Sequence, residues 1–421
     1  MLRKLLANRL ARDTAVLFGV QIVGYILPLI LLPYLARVLG PSNFGLLGLG
    51  TALILYFGVI VEYGFAVIGT RKVAIAQGDN EEISRIYVTI MTCRLTLLAL
   101  CFVGLIVTIF LLPGIRKHWD LYLISFLQVV GLALSPNWLF QGLQHMKWIA
   151  YSDYGAKLLS LFLTFIIVRQ SEEYLYAAAL QASGFLISAL IGLFLVYRNV
   201  PLRLHRPDRA RLRAALIEGW PVFLSMAGMI FTTSTNTMIL GAVGTTADVG
   251  YLNGAQRLII AARALTNPIT GAIYPHMSRL ASHSPAEGVR FLLRQVFWTA
   301  APFLLLSIGM LFLSPLASRL LYGERFAETG VLLQIMSLTP FVHAVSMCFG
   351  TYYMLAYGFE REWARIIQWT LLLNFICIFL LMQWTTPVRA VAITITTLDV
   401  VSATACFLFY RRTVASVMIR T

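Results

Sequence analysis

Charged residues are scarce in this chain: Asp, Glu, Lys and Arg make up 12% of its 421 residues, whereas a typical soluble domain carries roughly 25%. A composition so poor in charge excludes an ordinary water-soluble globular protein. The hydrophobic residues, 59% of the chain, recur in apolar runs of about 20 residues, the length that crosses the hydrocarbon core of a bilayer. The sequence therefore predicts an all-α polytopic membrane protein.

The chain also lacks the patterns that metal, disulfide and nucleotide chemistry require. Its five cysteines all lie in apolar runs and have no spacing typical of a disulfide framework or a metal site. No G-x-x-x-x-G-K-[ST] loop is present, so we expect that the chain does not itself hydrolyse ATP. We expect no metal and no bound cofactor. The basic N-terminus carries no cleavage signature, which favours a retained cytoplasmic segment over a signal peptide.

Twelve apolar segments are long enough to span a membrane, and the connections between them are short. We predict spans at 14–36, 46–68, 86–111, 119–140, 148–168, 175–197, 218–240, 249–273, 291–313, 329–355, 363–384 and 389–410.

The distribution of lysine and arginine predicts the orientation. Of the 33 such residues, 22 fall on the side of the N-terminus and 7 on the opposite side. Because cytoplasmic loops are rich in these residues, both termini are expected in the cytoplasm. The net charge of +15 then reflects loops that face anionic lipid, and we expect no nucleic-acid partner.

Two weakly similar halves flank a basic stretch in the middle of the chain. "GPSNFGLL" after the first span resembles "GTTADVGYL" after the seventh, and "WLFQGLQHMKW" resembles "MLAYGFEREW". An even number of spans separates each pair, which predicts two parallel six-helix bundles. We expect an N-terminal bundle at 1–197, a cytoplasmic linker at 198–217 and a C-terminal bundle at 218–421.

The predicted eighth span carries a polar stripe within an arc of roughly 140° on a helical wheel. Its members are Asn253, Gln256, Arg257, Arg263, Asn267 and Thr270. An arginine at the bilayer centre costs about 2.5–3.5 kcal/mol on insertion scales, so two arginines on one helix need a reason. A stripe of this kind predicts a helix that faces the bundle interior or a watery cavity.

Other ionisable residues lie inside the predicted spans. Asp153 and Lys157 stand at i,i+4 in the fifth span and can pair. Arg94 lies in the third span and Asp399 in the twelfth, and Glu62 lies near a helix end, where water or Arg71 would satisfy it. These residues can form buried ion pairs that only hold helices together.

The cations outnumber the deep acids, however, which indicates an anionic substrate. Arg94, Lys157, Arg257 and Arg263 have chiefly Asp153 and Asp399 as counter-charges. A phosphate group is the most economical missing partner, because the planar guanidinium fork binds two of its oxygens at once.

Several motifs then resemble the bacterial polysaccharide flippases, the exporters of O-antigen and related glycans. "NWLFQGLQHMKWIA" (137–150) resembles the W-x-x-Q-G-x-x-x-M-K signature that ends the fourth span of that family. "LARVLGPSNFGLLGL", "YGFAVIGTRKVA" and "IYPHMSRL" are also similar to it, in the same order and spacing. The resemblance extends over essentially the whole chain.

The resemblance implies a fold and a function. Such proteins, relatives of the multidrug-and-toxin exporters and the lipid II flippases, have twelve helices in two bundles around a central cavity. They move an undecaprenyl-pyrophosphate-linked oligosaccharide repeat across the inner membrane by alternating access. The family's cationic lumen maps onto the four cations named above. We expect sugar contacts from Trp138, Tyr154, Trp220, Asn253, Gln256 and Asn267.

The sequence leaves the driving force and the partners open. An H⁺ or Na⁺ gradient acting through Asp153, Glu62 or Asp399 would drive the cycle, and so would removal of product by polymerisation. The resemblance implies a polysaccharide polymerase and a chain-length regulator as neighbours of a monomeric transporter.

Two alternatives differ in their chemistry. A multidrug exporter of the related branch would favour an acidic interior, whereas this interior is basic. A membrane glycosyltransferase or polymerase acting on lipid-linked sugars would need an acidic pair in a periplasmic loop or a large periplasmic loop. The first such loop, "VLGPSNFGLL", has no acid, and none of the others exceeds about twenty residues.

Overall fold

The computed structural model describes the backbone of residues 2–203 and 205–419 and the side chains of 30–203, 205–228, 230 and 234–418. These residues contain helices and no β-strand, which confirms the predicted all-α class. The chain divides into two compact units, 1–242 and 243–421. The predicted bundle limits at 197 and 218 stay a prediction.

The described residues of the first unit form nine α-helices and one short 3₁₀-helix (Ser171–Glu173). The α-helices are α1 Leu2–Glu62, α2 Phe65–Ile75, α3 Asn80–Leu111, α4 Pro113–Arg116, α5 Trp119–Leu134, α6 Asn137–Gly142, α7 Met146–Ile167, α8 Tyr174–Asn199 and α9 Arg209–Val243. The last helix ends at the boundary between the units. Because α9 begins at Arg209, the second part of the predicted linker is helical.

Local sequence explains where the helices of the first unit are interrupted. Gly40 divides α1 with φ 71° and ψ 173°, a backbone conformation that is essentially restricted to glycine. Gly64 has φ 78° and separates α1 from α2, so the predicted span 46–68 bends near its end. Asp79 begins α3, since its carboxylate accepts hydrogen bonds from the amides of Glu81 and Glu82.

The second unit contains seven α-helices, a 3₁₀-helix (Glu324–Phe326) and a π-helix (Cys348–Leu355). The α-helices are α10 Thr246–Ala264, α11 Thr266–His283, α12 Pro285–Tyr322, α13 Ala327–Ile335, α14 Thr339–Met347, α15 Glu360–Leu381 and α16 Pro387–Ile419. The π-helix lies inside the predicted tenth span. Its residues Tyr352 and Tyr353 are completely buried in an apolar core with Met277 and Leu292.

Eight helical segments among the described residues are long and apolar enough to cross a membrane. They are Ile30–Ile75, Asn80–Leu111, Trp119–Gly142, Ser171–Asn199, Pro285–Tyr322, Glu324–Leu355, Glu360–Leu381 and Pro387–Met418. The predicted fifth, seventh and eighth spans form α7, α9 and α10–α11, which are helical but richer in polar residues. The count of twelve and the position of the termini stay predictions, and much of the first predicted span lies outside the described side chains.

Candidate functional site

The polar stripe of the predicted eighth span is divided between two helices. Pro268 has no N–H group to donate to the carbonyl of Ala264, and α10 ends at that residue. Thr266 begins α11, and its hydroxyl donates to the carbonyl of Arg263 at 2.7 Å. The prediction of one continuous helix over 249–273 was therefore wrong at this point, and "LTNPIT" contains the proline that could have revealed it.

One face of α10 carries three polar side chains that lack hydrogen-bond partners in the described part of the chain. Asn253, Gln256 and Arg257 stand at i, i+3 and i+4 and therefore share a face. The side-chain nitrogen of Asn253 is buried and donates no hydrogen bond. We define these three residues as the α10 polar face.

Arg257 differs from the other arginines of the predicted spans because no carboxylate of the described residues neutralises it. Its side chain is half-buried, and no described residue forms an ion pair or hydrogen bond with it. Tyr322 lies within electrostatic range, but the Tyr322 hydroxyl donates to the carbonyl of Gly254 at 3.0 Å. A buried guanidinium without a counter-charge is unfavourable, so Arg257 is suited to an anion from outside the protein.

Arg263, in contrast, is already paired. Its guanidinium donates to the carboxylate of Asp399 and connects α10 to α16. Both side chains are 25% exposed. The Arg263 Nε atom is buried and keeps no partner, and His343 lies within electrostatic range of the same guanidinium. Arg263, predicted to bind substrate, and Asp399, predicted to couple transport to an ion, are thus partners in one ion pair.

In the first unit, both terminal nitrogens of Arg94 contact protein groups, while its buried Nε has no hydrogen-bond partner among the described residues. Its Nη2 lies 2.9 Å from Glu62 Oε1, and its Nη1 donates to the carbonyl of Ser135 at 2.9 Å. Arg94 is 3% exposed and Glu62 14%. The alternative partner of Glu62, Arg71, pairs with Glu218 instead. The Arg94–Glu62 pair joins α3 to the end of α1, as expected for an ion pair that holds two helices together.

Asp153 forms the centre of a polar cluster between α6, α7 and α8. It accepts hydrogen bonds from Asn137 Nδ2, at 3.2 and 3.3 Å, and from the Ser188 hydroxyl. Lys157 Nζ is 3.8 Å from Asp153 Oδ2 and stays 41% exposed. The i,i+4 spacing pointed to the pair of Asp153 and Lys157. The sequence analysis missed Asn137 and Ser188, because their contact depends on how separate helices pack.

The remaining sugar-contact candidates occupy different environments. Tyr154 is half-buried beneath Lys157, whose Nζ lies 5.9 Å from the ring centroid. Trp220 is 50% exposed and packs beside Phe223 at a centroid distance of 5.5 Å. Asn267 is exposed on α11 and has an interaction partner.

Trp138 is a packing residue in this structure. It is 1% exposed and fits against Gly69, where an added Cβ would lie 2.5 Å from its ring. The Thr70 hydroxyl donates to the Trp138 carbonyl at 3.0 Å. The segment "NWLFQGLQHMKWIA", which resembles the flippase signature, therefore includes the contact between α6 and α2. The Trp138 ring is buried in that contact and is not accessible for stacking on a sugar. Among the described residues, no three His, Cys, Asp or Glu side chains form a metal-binding group.

The arrangement of these helices matches solved membrane proteins. An inward-facing multidrug resistance MATE family transporter of the MOP superfamily gives a TM-score of 0.72 at 17% identity and covers 93% of this chain and 95% of that protein. The lipid II flippase MurJ in an inward closed conformation gives 0.69 at 13% identity and covers 97% and 90%. The chain therefore has a fold similar to that of these two proteins.

Sequence comparison then defines the family. The family described as "Polysaccharide biosynthesis protein" matches residues 10–281. A protein of Escherichia coli (strain K12) named "Putative O-antigen transporter" is 30% identical over 88% of this chain and 89% of its own length. A protein of the same name from Shigella dysenteriae is 29% identical over 84% and 88%. The chain belongs to the polysaccharide biosynthesis protein family and is a multi-pass protein of the bacterial inner membrane.

Proposed function

We propose that the protein is a flippase that moves a lipid-linked oligosaccharide from the cytoplasmic to the periplasmic leaflet. The substrate is an undecaprenyl-pyrophosphate-linked repeat of O-antigen or a similar surface polysaccharide, and transport occurs by alternating access. Family membership, the names of the two relatives and the fold shared with the lipid II flippase support this proposal. No covalent bond of the substrate changes, so the protein acts as a transporter and not as an enzyme.

The observation that carries the proposal is the α10 polar face. Arg257 has no carboxylate partner among the described residues, and Asn253 has a buried amide nitrogen without an acceptor. A pyrophosphate supplies the missing negative charge, and charge-assisted hydrogen bonds to a guanidinium are the strong ones. The amides of Asn253 and Gln256 are suited to phosphate oxygens or to the hydroxyls of the first sugar.

Two arginines of the cationic set that the sequence suggested have carboxylate partners. Arg94 and Arg263 already bind Glu62 and Asp399, and we propose that they hold helices together. Lys157 keeps 41% of its side chain exposed and remains a second candidate for phosphate. The polyprenyl tail stays in lipid throughout the cycle, because apolar chains gain nothing by entering a polar site.

An ion gradient is the proposed energy source. Asp153 is the best suited coupling residue, because its carboxylate contacts an amide, a hydroxyl and an ammonium group and is 21% exposed. Binding of H⁺ or Na⁺ there would change the contact with Lys157. A polymerase that consumes the product would also favour transport in the outward direction. We propose that a chain-length regulator lies beside this polymerase and that the transporter is a monomer.

The test compares Arg257→Ala and Arg257→Lys with Arg319→Ala, a matched loss of an exposed arginine in the same unit. We expect Arg257→Ala to lower the rate of glycan export about tenfold to hundredfold, since a hydrogen bond to a charged group contributes roughly 1.5–3 kcal/mol. Arg257→Lys keeps the charge but loses the bidentate geometry, so its rate of glycan export should lie between those of the wild type and Arg257→Ala. Export is measured as surface glycan and as lipid-linked repeat left in the cytoplasmic leaflet, at equal protein levels.

Wild-type export by Arg257→Ala would contradict the assigned site. Loss of resistance to cationic dyes on deletion of the gene, with normal glycan export, would contradict the flippase and favour a multidrug exporter.

A further inference from the structure

The segment that follows α8 is fastened to the start of α3. The backbone N–H of Arg203 donates to Ser84 Oγ at 2.9 Å, and Arg211 Nη1 donates to Glu82 Oε1 at 2.8 Å. Leu202 packs against the apolar core that contains Ile83. These contacts lie within the first unit and hold the predicted linker in place.

A basic cavity of about 300 Å³ lies under this segment. Its polar lining consists of Arg85, Thr89, His205, Arg206, Asp208 and Arg211. Two of these three arginines are ion-paired with glutamates of α3, whereas Arg206 forms no ion pair with any described residue. The lysine and arginine distribution predicts that this side of the protein is cytoplasmic, where anionic lipids attract basic residues.

Several hydrogen-bond donors of the basic cavity lack acceptors. His205 Nε2 is buried and has no partner. Arg206 forms no ion pair or hydrogen bond with any described residue. Arg85 Nη2 is bonded to Glu81 at 2.5 Å and Arg211 Nη1 to Glu82, which leaves the other guanidinium N–H groups of both for a further acceptor. An anion with several oxygens would satisfy them together.

A second, apolar cavity of about 380 Å³ adjoins the basic one and shares Thr89 and Arg211 with it. Its apolar lining comes from α2, the residue after it, α3 and α9, namely Ile68, Ile75, Ala76, Ile86, Ile90, Ala214 and Ala215. Lys72 and Glu82 also line it. Ile75 is 79% exposed, so apolar surface continues from the cavity to the outside of the protein. The two cavities together have a charged end and an apolar end.

We propose that the two cavities bind one anionic phospholipid of the cytoplasmic leaflet. The phosphate lies between Arg206, His205 and the free N–H groups of Arg85 and Arg211, and an acyl chain enters the apolar cavity. A basic pocket at the membrane surface is a recognised receptor for an anionic head group, and the apolar cavity distinguishes a lipid from a free phosphate. This site uses none of the α10 polar face, so it is independent of the transport substrate. A bound lipid would join the linker to α2 and α3.

The test uses the purified full-length protein in detergent and native mass spectrometry with phosphatidylglycerol, phosphatidylethanolamine and glycerol phosphate. The double variant His205→Ala/Arg206→Ala removes donors that bind no other described residue. Arg213→Ala is its control, because it removes one exposed arginine on α9 outside both cavities. Ala214→Leu narrows the apolar cavity without a change of charge.

We expect the double variant to bind phosphatidylglycerol at least about tenfold more weakly than the wild type does. Arg213→Ala should bind phosphatidylglycerol as the wild type does, and every variant should bind phosphatidylethanolamine weakly. Ala214→Leu should weaken binding of the lipid and not of glycerol phosphate. Equal binding by the double variant and the control would overturn the proposal, and so would equal binding of both lipids. Binding of glycerol phosphate as tight as that of phosphatidylglycerol in the wild type would assign the site to free phosphate and overturn the proposal. Unchanged thermal unfolding of each variant ensures that altered binding reflects the site.

Discussion

Arginines in the membrane-spanning part of this protein are stabilised in two different ways. Arg94 has a carboxylate and backbone carbonyls around it, whereas Arg257 has no such group among the described residues. Removal of one member of a buried pair leaves an uncompensated charge, whereas removal of an unpaired cation does not. Substitution of Arg94 should therefore lower the stability of the protein, whereas substitution of Arg257 should lower its transport rate.

Arg94→Met should destabilise the protein strongly, because it leaves the Glu62 carboxylate buried without its partner. Breaking a buried ion pair costs about 3–5 kcal/mol, and thermal unfolding in detergent should reveal a marked fall in Tm. The double variant Arg94→Met/Glu62→Leu should recover most of the loss, since apolar replacement of a whole pair is often close to neutral. A single variant as stable as the wild type would refute the structural role of the pair.

Helix interruptions determine the course of the chain at the level of elements. Gly40 divides α1, and Pro268 separates α10 from α11. The two interruptions differ in cause, because the first requires a backbone conformation that only glycine adopts readily and the second removes a hydrogen-bond donor. Each interruption lies close to a turn or a polar stripe that the sequence analysis had singled out.

Gly40→Ala should lower stability by about 1–3 kcal/mol, which is the usual cost of a side chain in a sparsely populated backbone region. The matched control is Gly155→Ala in α7, where an added Cβ meets no atom within 4 Å. Alanine favours a helix over glycine by up to about 1 kcal/mol, so the control should be neutral or stabilising. Thermal unfolding of both variants provides the comparison, and an equal effect in both would show that the conformation of Gly40 has no special cost.

At the scale of the whole molecule, the predicted all-α membrane class is confirmed, but the helices do not match the limits of every predicted span. Each of the eight apolar segments overlaps a predicted span, because a run of about 20 apolar residues is the signal both of them share. Periodicity also indicated that Asp153 and Lys157 can pair within one helix. The pairs Arg94–Glu62 and Arg263–Asp399 join different helices, and helical period contains no information on which helices adjoin.

The predicted orientation can be tested with single cysteines at two exposed positions. Arg209→Cys at the start of α9 should react with a membrane-impermeant maleimide only when the cytoplasmic face is accessible. Glu172→Cys, in the connection before α8, should react from the periplasmic face of intact spheroplasts. The positive-inside distribution of lysine and arginine is the physical basis. Labelling of both cysteines from the same face would overturn the topology, and the native cysteines serve as the background in the parent protein.

The π-helix Cys348–Leu355 has a consequence for how the chain tolerates changes in length. Each residue of an α-helix advances the helix by 100°, so a one-residue deletion rotates everything beyond it away from its neighbours. A π-helix bonds residues i and i+5 rather than i and i+4. Loss of one residue there would convert the wide turn into an ordinary one and leave the flanking faces in register. Among the helical stretches of the second unit that the structure describes, this one is therefore suited to absorb a single-codon deletion without loss of helix alignment.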